Sequence, residues 1–446
     1  MLDINFIREN KTIVEEDLKK RGETGRIGEV DRLLQLDSLN VKNKKKLDDL
    51  RHQRNIISEQ INKLMKQGKD AKDLISKAKE LPNNIKELEE KDKEYTTEMR
   101  GILLRVPNIL HKSVPIGKDS TQNKTVRTWG KKPKITFKQK PHGEFLEEQG
   151  LADFERGTKV AGAGFYYLKG DLALLDLALQ RFAIDTLIKE GFTLVLPPHM
   201  MNRKNYEGVV SLDDFENVMY KIENEDLYLI ATSEHPMGAM YSGETLDEEK
   251  LPIKLCGLSP CYRKEIGSHG IDTRGVFRVH QFNKVEEFVF SKPEDSWKIH
   301  EQMQKISEKI FKALKIPHRV VNVCTGDMGV IASKKYDIEG WFPREKAYKE
   351  LTSCSNCTSY QAVRLNIKYR KKDGKKEYVH TLNNTGIATA RAIRAIVENF
   401  QQKDGSIKVP RVLWPYMNGM KKIGGLKNGK KVKNNGKRVK KRGKKG

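Results

Sequence analysis

Apolar residues recur early in the chain with alternating steps of three and four. Leu47, Leu50, Ile57, Ile61 and Leu64 keep this spacing, with Arg54 filling the gap. After a break at Gln67-Gly68-Lys69-Asp70 it resumes through Leu74, Ala78, Leu81, Ile85, Leu88, Asp92, Tyr95, Met99, Ile102 and Val106. A sustained 3.5-residue repeat predicts a coiled coil. Gly68 marks a turn and Asp70 can cap the returning helix, so residues 28–106 read as an antiparallel hairpin. Two helices of roughly 35 residues, rising 1.5 Å per residue, make an arm of about 50 Å. Pro82 should kink or interrupt the second helix. A dimerisation coiled coil is the alternative, but the turn near the middle of the repeat favours the hairpin.

Residues 107–145 carry Pro107, Pro115, Pro133 and Pro141 among many lysines and read as a linker. Beyond them the pattern becomes globular. Residues 171–192 form a strongly apolar helix with Gly191 as its stop, and 193–198 a short strand ending at two prolines. Strand-like runs follow at 226–232, 253–259, 276–282 and 285–290, then an amphipathic helix over 296–316. Strands are predicted at 347–354, 358–370 and 376–383, and a helix at 385–402. Mostly hairpin-connected strands with flanking helices imply an antiparallel sheet in an α+β domain. The expected organisation is a helical hairpin region (1–110), a linker (111–145), an α+β domain (146–417) and a basic disordered tail (418–446).

Composition agrees with a partly solvated, extended molecule: 37% of the 446 residues are hydrophobic and 33% are charged. The net charge of +25 favours polyanionic partners. Thirteen Lys and Arg, with no Asp or Glu, fall between Lys421 and Lys445. No apolar run approaches the ~20 residues of a membrane span, and no secretory signal pattern is visible at the start. Five cysteines, an odd number, suit a reducing compartment better than a disulfide framework, which makes the cytoplasm the expected location.

Candidate chemistry centres on RVHQFNKVEEFVF, residues 278–290. Read as a strand, it sets Arg278, Phe282 and Glu286 on one face at intervals of four. A phosphate, a purine ring and an ammonium or hydroxyl group would suit them; a solvated edge strand is the bland alternative. Arg263 and Glu265 lie on the preceding run, and arginine favours bidentate contacts with phosphate or carboxylate. Glu350 and Ser353 offer a carboxylate and a hydroxyl that can hold Mg²⁺ bridging phosphates. Arg391 on the last helix suits a further phosphate. Cys354 and Cys357, with the irregularly spaced Cys256 and Cys261, read as buried thiols, and no structural zinc is expected. His269 and His280 read as hydrogen-bonded loop and strand histidines.

Taken together, residues 1–415 resemble seryl-tRNA synthetase, a class II aminoacyl-tRNA synthetase. The likeness is carried by YRKEIGSHGIDTRGVFRVHQFNKVEEF and ELTSCSNCTSYQAVRL, in a form most like the cytosolic eukaryotic enzymes. GFTLVLPP looks like the class's first motif, residues 262–290 like its second and TLNNTGIATARAIRAI like its third. The resemblance implies a class II antiparallel catalytic sheet with an N-terminal coiled-coil arm. It implies an ATP-dependent ligase that makes seryl-adenylate and transfers serine to tRNA(Ser), and to tRNA(Sec) where present.

Roles follow at the matching positions. Thr232, Ser233 and Glu234, with Arg263, Glu286, Asn383 and Thr385, would bind serine. Arg263, Lys264, Glu265, Arg278, Val279, Phe282, Glu350, Leu351, Thr352, Ser353 and Arg391 would bind ATP. Phe282 would stack on adenine with Arg391 over the other face, and Glu350 and Ser353 would hold Mg²⁺. Arg263, Arg391 and Glu350 would carry catalysis. The arm would reach the long variable arm of tRNA bound on the other subunit of a homodimer joined through about 171–198. The basic tail lies outside the resemblance; its charge reads as an auxiliary tRNA-affinity element, with a nuclear-localisation signal as the alternative. A class II ligase for another amino acid is disfavoured by the Thr232–Glu234 and Glu286 pattern. A catalytically silent relative is disfavoured because Arg263, Glu286, Glu350, Ser353 and Arg391 are all present.

Overall fold

The computed structural model describes residues 1–211, 217–265 and 275–425. The loop histidine His269 and the tail from 426 onward lie outside the described residues.

The 3-4 repeat folds as two helices, α1 (Ile27–Lys66) and α2 (Lys72–Arg105). Asp70 accepts a hydrogen bond from the Lys72 amide at 2.9 Å, at the start of the returning helix. Polar residues sit inside the seam. Asn40 donates to Asp92 at 3.1 Å and Asn43 to the Leu88 carbonyl at 2.8 Å, which explains why Asp92 occupies a core position of the repeat. Buried polar pairs of this kind fix register at a cost in stability. Pro82 does not interrupt α2. It lies on the exposed face, where water can serve the carbonyl it leaves unbonded. The base of the arm is held more firmly than its tip. Val30, Leu33, Leu36, Ile102, Leu103 and Val106 share a buried cluster with the N-terminal helices and Tyr360.

The region after the arm is built on one eight-stranded sheet. Its strands are β1 (Lys124–Trp129), β2 (Thr193–Val195), β3 (Ile253–Tyr262), β4 (Gln281–Ser291), β5 (His318–Asn322), β6 (Lys334–Phe342), β7 (Ala347–Asn356) and β8 (His380–Ala388). The order is β1-β5-β6-β7-β8-β4-β3-β2. All neighbours are antiparallel except β2, which joins β3 in parallel at one edge. Helices α3 (Asp171–Lys189), α4 (Ser296–Ala313), α5 (Tyr360–Leu365) and α6 (Thr389–Phe400) flank it. Alternation along β4 splits its side chains between two cores: Val285 and Val289 join one, Phe288 and Phe290 the other.

The structure changes several sequence expectations. The 107–145 linker contains β1, whose pairing with β5 completes the sheet edge. The run 358–370 holds α5, buried through Tyr360, Gln361, Ala362, Val363 and Leu365, before a strand at Lys368–Arg370. Four of its six residues, Gln361, Ala362, Arg364 and Leu365, are good helix formers, and the strand reading passed over them. The run 226–232 keeps strand only at Tyr228–Leu229. The last helix begins at Thr389, because residues 380–388 are drawn into the sheet beside β4. Residues 418–425 are not all tail: Lys422–Gly424 pairs with Ser406–Lys408. Most consequential for the site, β4 begins at Gln281 and not at Val276, so Arg278 and Val279 precede the strand.

Candidate active site

A cavity of about 250 Å³ opens in the middle of the sheet, lined by residues of β3's C-terminal extension, β4, β7, β8 and α6. Its position follows from strand pairing. β7 and β8 are paired only from Cys354↔Asn384 to Asn356↔Leu382. Beyond that point the two strands part, and the cavity fills the gap.

Two bulges aim the side chains. In β7, Ile338 pairs with Thr352 and the next residue of β6, Glu339, pairs with Glu350, leaving Leu351 as an extra residue. Residues three apart on a regular strand face opposite sides; the bulge turns Glu350 and Ser353 to the same cavity. In β8, the register shifts between Thr385 and Ile387, so Gly386 is the extra residue and Ala388 joins Asn383 and Thr385 at the cavity wall. A Cβ at Gly386 would lie 3.2 Å from the Val285 carbonyl, which suits glycine to this close approach.

Three side-chain couples line the cavity. Glu234 Oε1 accepts from Asn383 Nδ2 at 2.9 Å and from Gln361 Nε2 at 3.3 Å. Burial, and then the charge of Glu286, push the Glu234 carboxyl up to about 7. On β4, Lys284 Nζ lies 2.7 Å from Glu286 Oε2, both side chains being almost fully buried. Thr385 stands directly opposite Glu286 in the ladder. The third couple is Arg391 with Glu350, Nη1 to Oε1 at 2.8 Å. Burial raises the Glu350 carboxyl, but Arg391, Lys335 and Arg263 pull harder and leave it below the ordinary range. Arg263 donates to the Ala231 carbonyl at 3.3 Å, and its guanidinium lies 5.4 Å from the centre of the Phe282 ring.

Of the residues singled out in the sequence, Glu234, Arg263, Phe282, Glu286, Glu350, Leu351, Ser353, Asn383, Thr385 and Arg391 line this one cavity. Others stand apart from its wall. Thr232 and Ser233 are buried in the turn behind Glu234: Thr232 Oγ1 accepts from the Glu234 amide at 3.1 Å, and Ser233 donates to the Gly257 carbonyl at 3.2 Å. Thr352 is buried on the opposite face of β7, and Val279 is buried ahead of β4. Arg278 is exposed. Lys264 lies 5.8 Å from the Tyr220 ring centre, next to Glu265. Arg391 has the Phe277 ring 5.8 Å from its guanidinium. His280 bonds to the Tyr220 hydroxyl and stacks on Phe165. The five cysteines are buried free thiols.

Lys284 and Ala388 line the cavity without having been singled out. Lys284 was legible, since it lies two residues before Glu286 and so shares its strand face. Glu287, next in sequence, faces the other layer, where Asn384 donates to it at 3.0 Å and burial holds its carboxyl well above the usual range.

The donor set at Glu350 and Ser353 is all oxygen, which suits a hard divalent cation. Asp337, directly opposite Ser353 in the ladder, adds a carboxyl that burial pushes up to about 7, with an Oδ1 lacking a hydrogen-bond partner among the described residues. The residues therefore fit Mg²⁺. Among the described residues no group of three His, Cys, Asp or Glu is placed to hold a metal, so phosphate oxygens would complete the shell.

Comparison with known proteins agrees along nearly the whole chain. Residues 1–110 match the seryl-tRNA synthetase N-terminal domain, and residues 218–400 match the class II core domain of the G, H, P, S and T synthetases. A serine–tRNA ligase of Methanocella arvoryzae is 58% identical over 422 residues, covering 94% of this chain and 99% of that protein. The seryl-tRNA synthetase of Pyrococcus horikoshii, solved with ATP, superposes with a TM-score of 0.88 at 48% identity, covering 96% of this chain and 100% of that one. The cytoplasmic serine–tRNA ligase of Naegleria fowleri, solved with AMP, gives a TM-score of 0.83 at 36% identity, covering 95% and 99%. Of these three, the Methanocella and Pyrococcus proteins share more of their sequence with this chain than the Naegleria protein does. With both its arm and its catalytic core matched, the chain belongs to the seryl-tRNA synthetase family.

Proposed function

We propose that this cavity joins L-serine to ATP and then to the 3′ end of tRNA(Ser), with each couple serving one part of the reactants. The observation that carries the reading is the convergence of Glu234, Glu286, Thr385, Arg263, Phe282, Glu350 and Arg391 on one cavity. Glu234 takes the serine ammonium, with Thr232 and Ser233 shaping the turn behind it. Glu286 and Thr385 take the hydroxyl, and Asn383 holds Glu234 in place. Arg263 brings the serine carboxylate and the α-phosphate together, and Phe282 stacks on adenine. Arg391 meets the γ-phosphate.

The serine carboxylate attacks the α-phosphorus and pyrophosphate leaves. The terminal ribose hydroxyl of tRNA then attacks the activated carbonyl and AMP leaves. Neither step needs a protein nucleophile. Catalysis rests on holding two anions in line and offsetting their charge with Arg263 and Arg391. Mg²⁺, when held by Glu350 and Ser353, supplies further charge neutralisation to the phosphates. A pocket that hydrogen-bonds a hydroxyl rejects the analogue lacking it by about 10⁴–10⁵, which suits Glu286 to a serine site.

The arm reads the tRNA. Leu177, Ile188, Leu194, Leu196 and Met200 are exposed apolar residues on and around α3 and β2, and a second copy of the chain covers them in a homodimer. No helix among the described residues is long and apolar enough to cross a membrane; the site of action is the cytoplasm. ATP–pyrophosphate exchange across the twenty amino acids tests the reading. Exchange should be best with serine and lost in Glu286→Ala. Best exchange with another amino acid, or unchanged kinetics in the variant, would reject it.

A further inference from the structure

We propose that Lys284 is a positioning residue for serine selection, clamping one oxygen of Glu286 so that the other is presented to the substrate hydroxyl. The inference rests on the reading that Glu286 receives that hydroxyl. Lys284 and Glu286 are two apart on β4, so alternation puts both on the cavity face. Nζ lies 2.7 Å from Oε2, and the side chains are 6% and 2% exposed. The contact is a charge pair without hydrogen-bond geometry, since Oε2 has no hydrogen-bond partner among the described residues. Room for the lysine stem comes from its ladder neighbours, Ser259 on β3 and Ala388 on β8, both small.

Burying two charges in this way is not a route to stability, because desolvation offsets most of the attraction. Its benefit lies in the cavity. Glu234 and Glu286 are two carboxylates in one small enclosure, and like charges there would drive one of them to take a proton or turn away. An ammonium fixed between strand neighbours offsets one of the two charges and holds Glu286 in place. Burial and Glu286 push the Glu234 carboxyl upward, and Lys284 works against them, as such a role requires. A hydroxyl-reading carboxylate must be fixed, since the discrimination it provides depends on hydrogen-bond geometry.

The test is ATP–pyrophosphate exchange with serine and with alanine, on full-length Lys284→Met, Lys284→Arg, Glu286→Gln and Glu286→Ala. Lys284→Met should lower the serine-over-alanine ratio in kcat/KM at least about tenfold, mainly through a higher KM for serine, with the KM for ATP within about twofold. Lys284→Arg should restore most of the ratio. An unchanged ratio in folded Lys284→Met, while Glu286→Gln loses it, overturns the role of Lys284 alone. An unchanged ratio in both Glu286→Gln and Glu286→Ala, the latter having no acceptor, removes the hydroxyl reading itself, and this inference with it. Should Lys284→Met fail to fold, the double variant Lys284→Met/Glu286→Gln replaces the ion pair by neutral groups of similar size. Compared with Glu286→Gln, it should lose no further discrimination; a further loss would mean that Lys284 acts independently of Glu286 and would overturn the clamp.

Discussion

Arg391 on α6 donates to Glu350 on β7 at 2.8 Å, tying the proposed γ-phosphate cation to the proposed metal carboxylate. Under the proposed roles, ATP with Mg²⁺ would exchange this ion pair for contacts to phosphate and metal. Glu350→Gln should therefore raise the Mg²⁺ concentration for half-maximal exchange, on the order of tenfold. Arg391→Ala should lower the exchange rate by about 10²–10³, the range seen when a charge-stabilising donor is removed. Both should melt near the parent temperature, because partly exposed pairs add little stability. An unchanged Mg²⁺ requirement in Glu350→Gln would exclude that residue from metal binding.

The proposed role of Glu234 as the ammonium partner should make serine binding pH-dependent. Its carboxyl is pushed up to about 7 by burial and by Glu286, and only the ionised form attracts an ammonium. The KM for serine should rise as pH falls below about 7 and level off above it. Glu234→Gln should raise KM throughout and flatten the profile. Stability runs the other way. A carboxyl with a raised folded pKa binds more protons folded than unfolded, so its contribution falls as pH rises from its ordinary value towards about 7. The melting temperature of Glu234→Gln relative to the parent should therefore increase across that window. A flat KM profile in the parent protein would remove Glu234 from the ammonium site.

Removing the arm should separate activation from charging, provided that its base is spared. Val30, Leu33, Leu36, Ile102 and Val106 are core, and Arg364 donates to the Leu104 carbonyl at 3.0 Å. Excising only residues 48–84 and closing the gap with a short turn leaves those contacts intact. Serine-dependent exchange should persist within about twofold, while tRNA charging should drop by at least about tenfold. Normal charging by the shortened protein would mean that the arm is not the tRNA reader.

The basic tail should contribute a salt-sensitive share of tRNA affinity. The cut belongs after residue 425, because Lys422–Gly424 pairs with Ser406–Lys408. Loss of residues 426–446 should reduce the slope of log affinity against log salt, by about 0.7–0.9 for each phosphate that the tail neutralises. An identical slope would leave the tail without that role.

The primary sequence determined what periodicity and local chemistry can determine. Two long helices were legible because a 3.5-residue repeat has one economical solution, and their turn because Gly68 and Asp70 fit it. Phe282 and Glu286 were legible as neighbours because a strand repeats every two residues, and the family's runs placed Arg263, Glu350, Ser353 and Arg391 beside them. Tertiary structure alone decided which faces meet. Glu350 and Ser353 share a cavity only because Leu351 bulges when β7 is paired to β6. Arg278 leaves the row because β4 begins at Gln281, where pairing with β3 starts. Residues 360–365 are buried as a helix between Glu234 and the base of the arm, where Gln361 reaches Glu234 and Tyr360 the Val106 carbonyl. Bulges, strand ends and buried connectors are set by the partner strand or layer, and a chain read one residue at a time does not contain that partner.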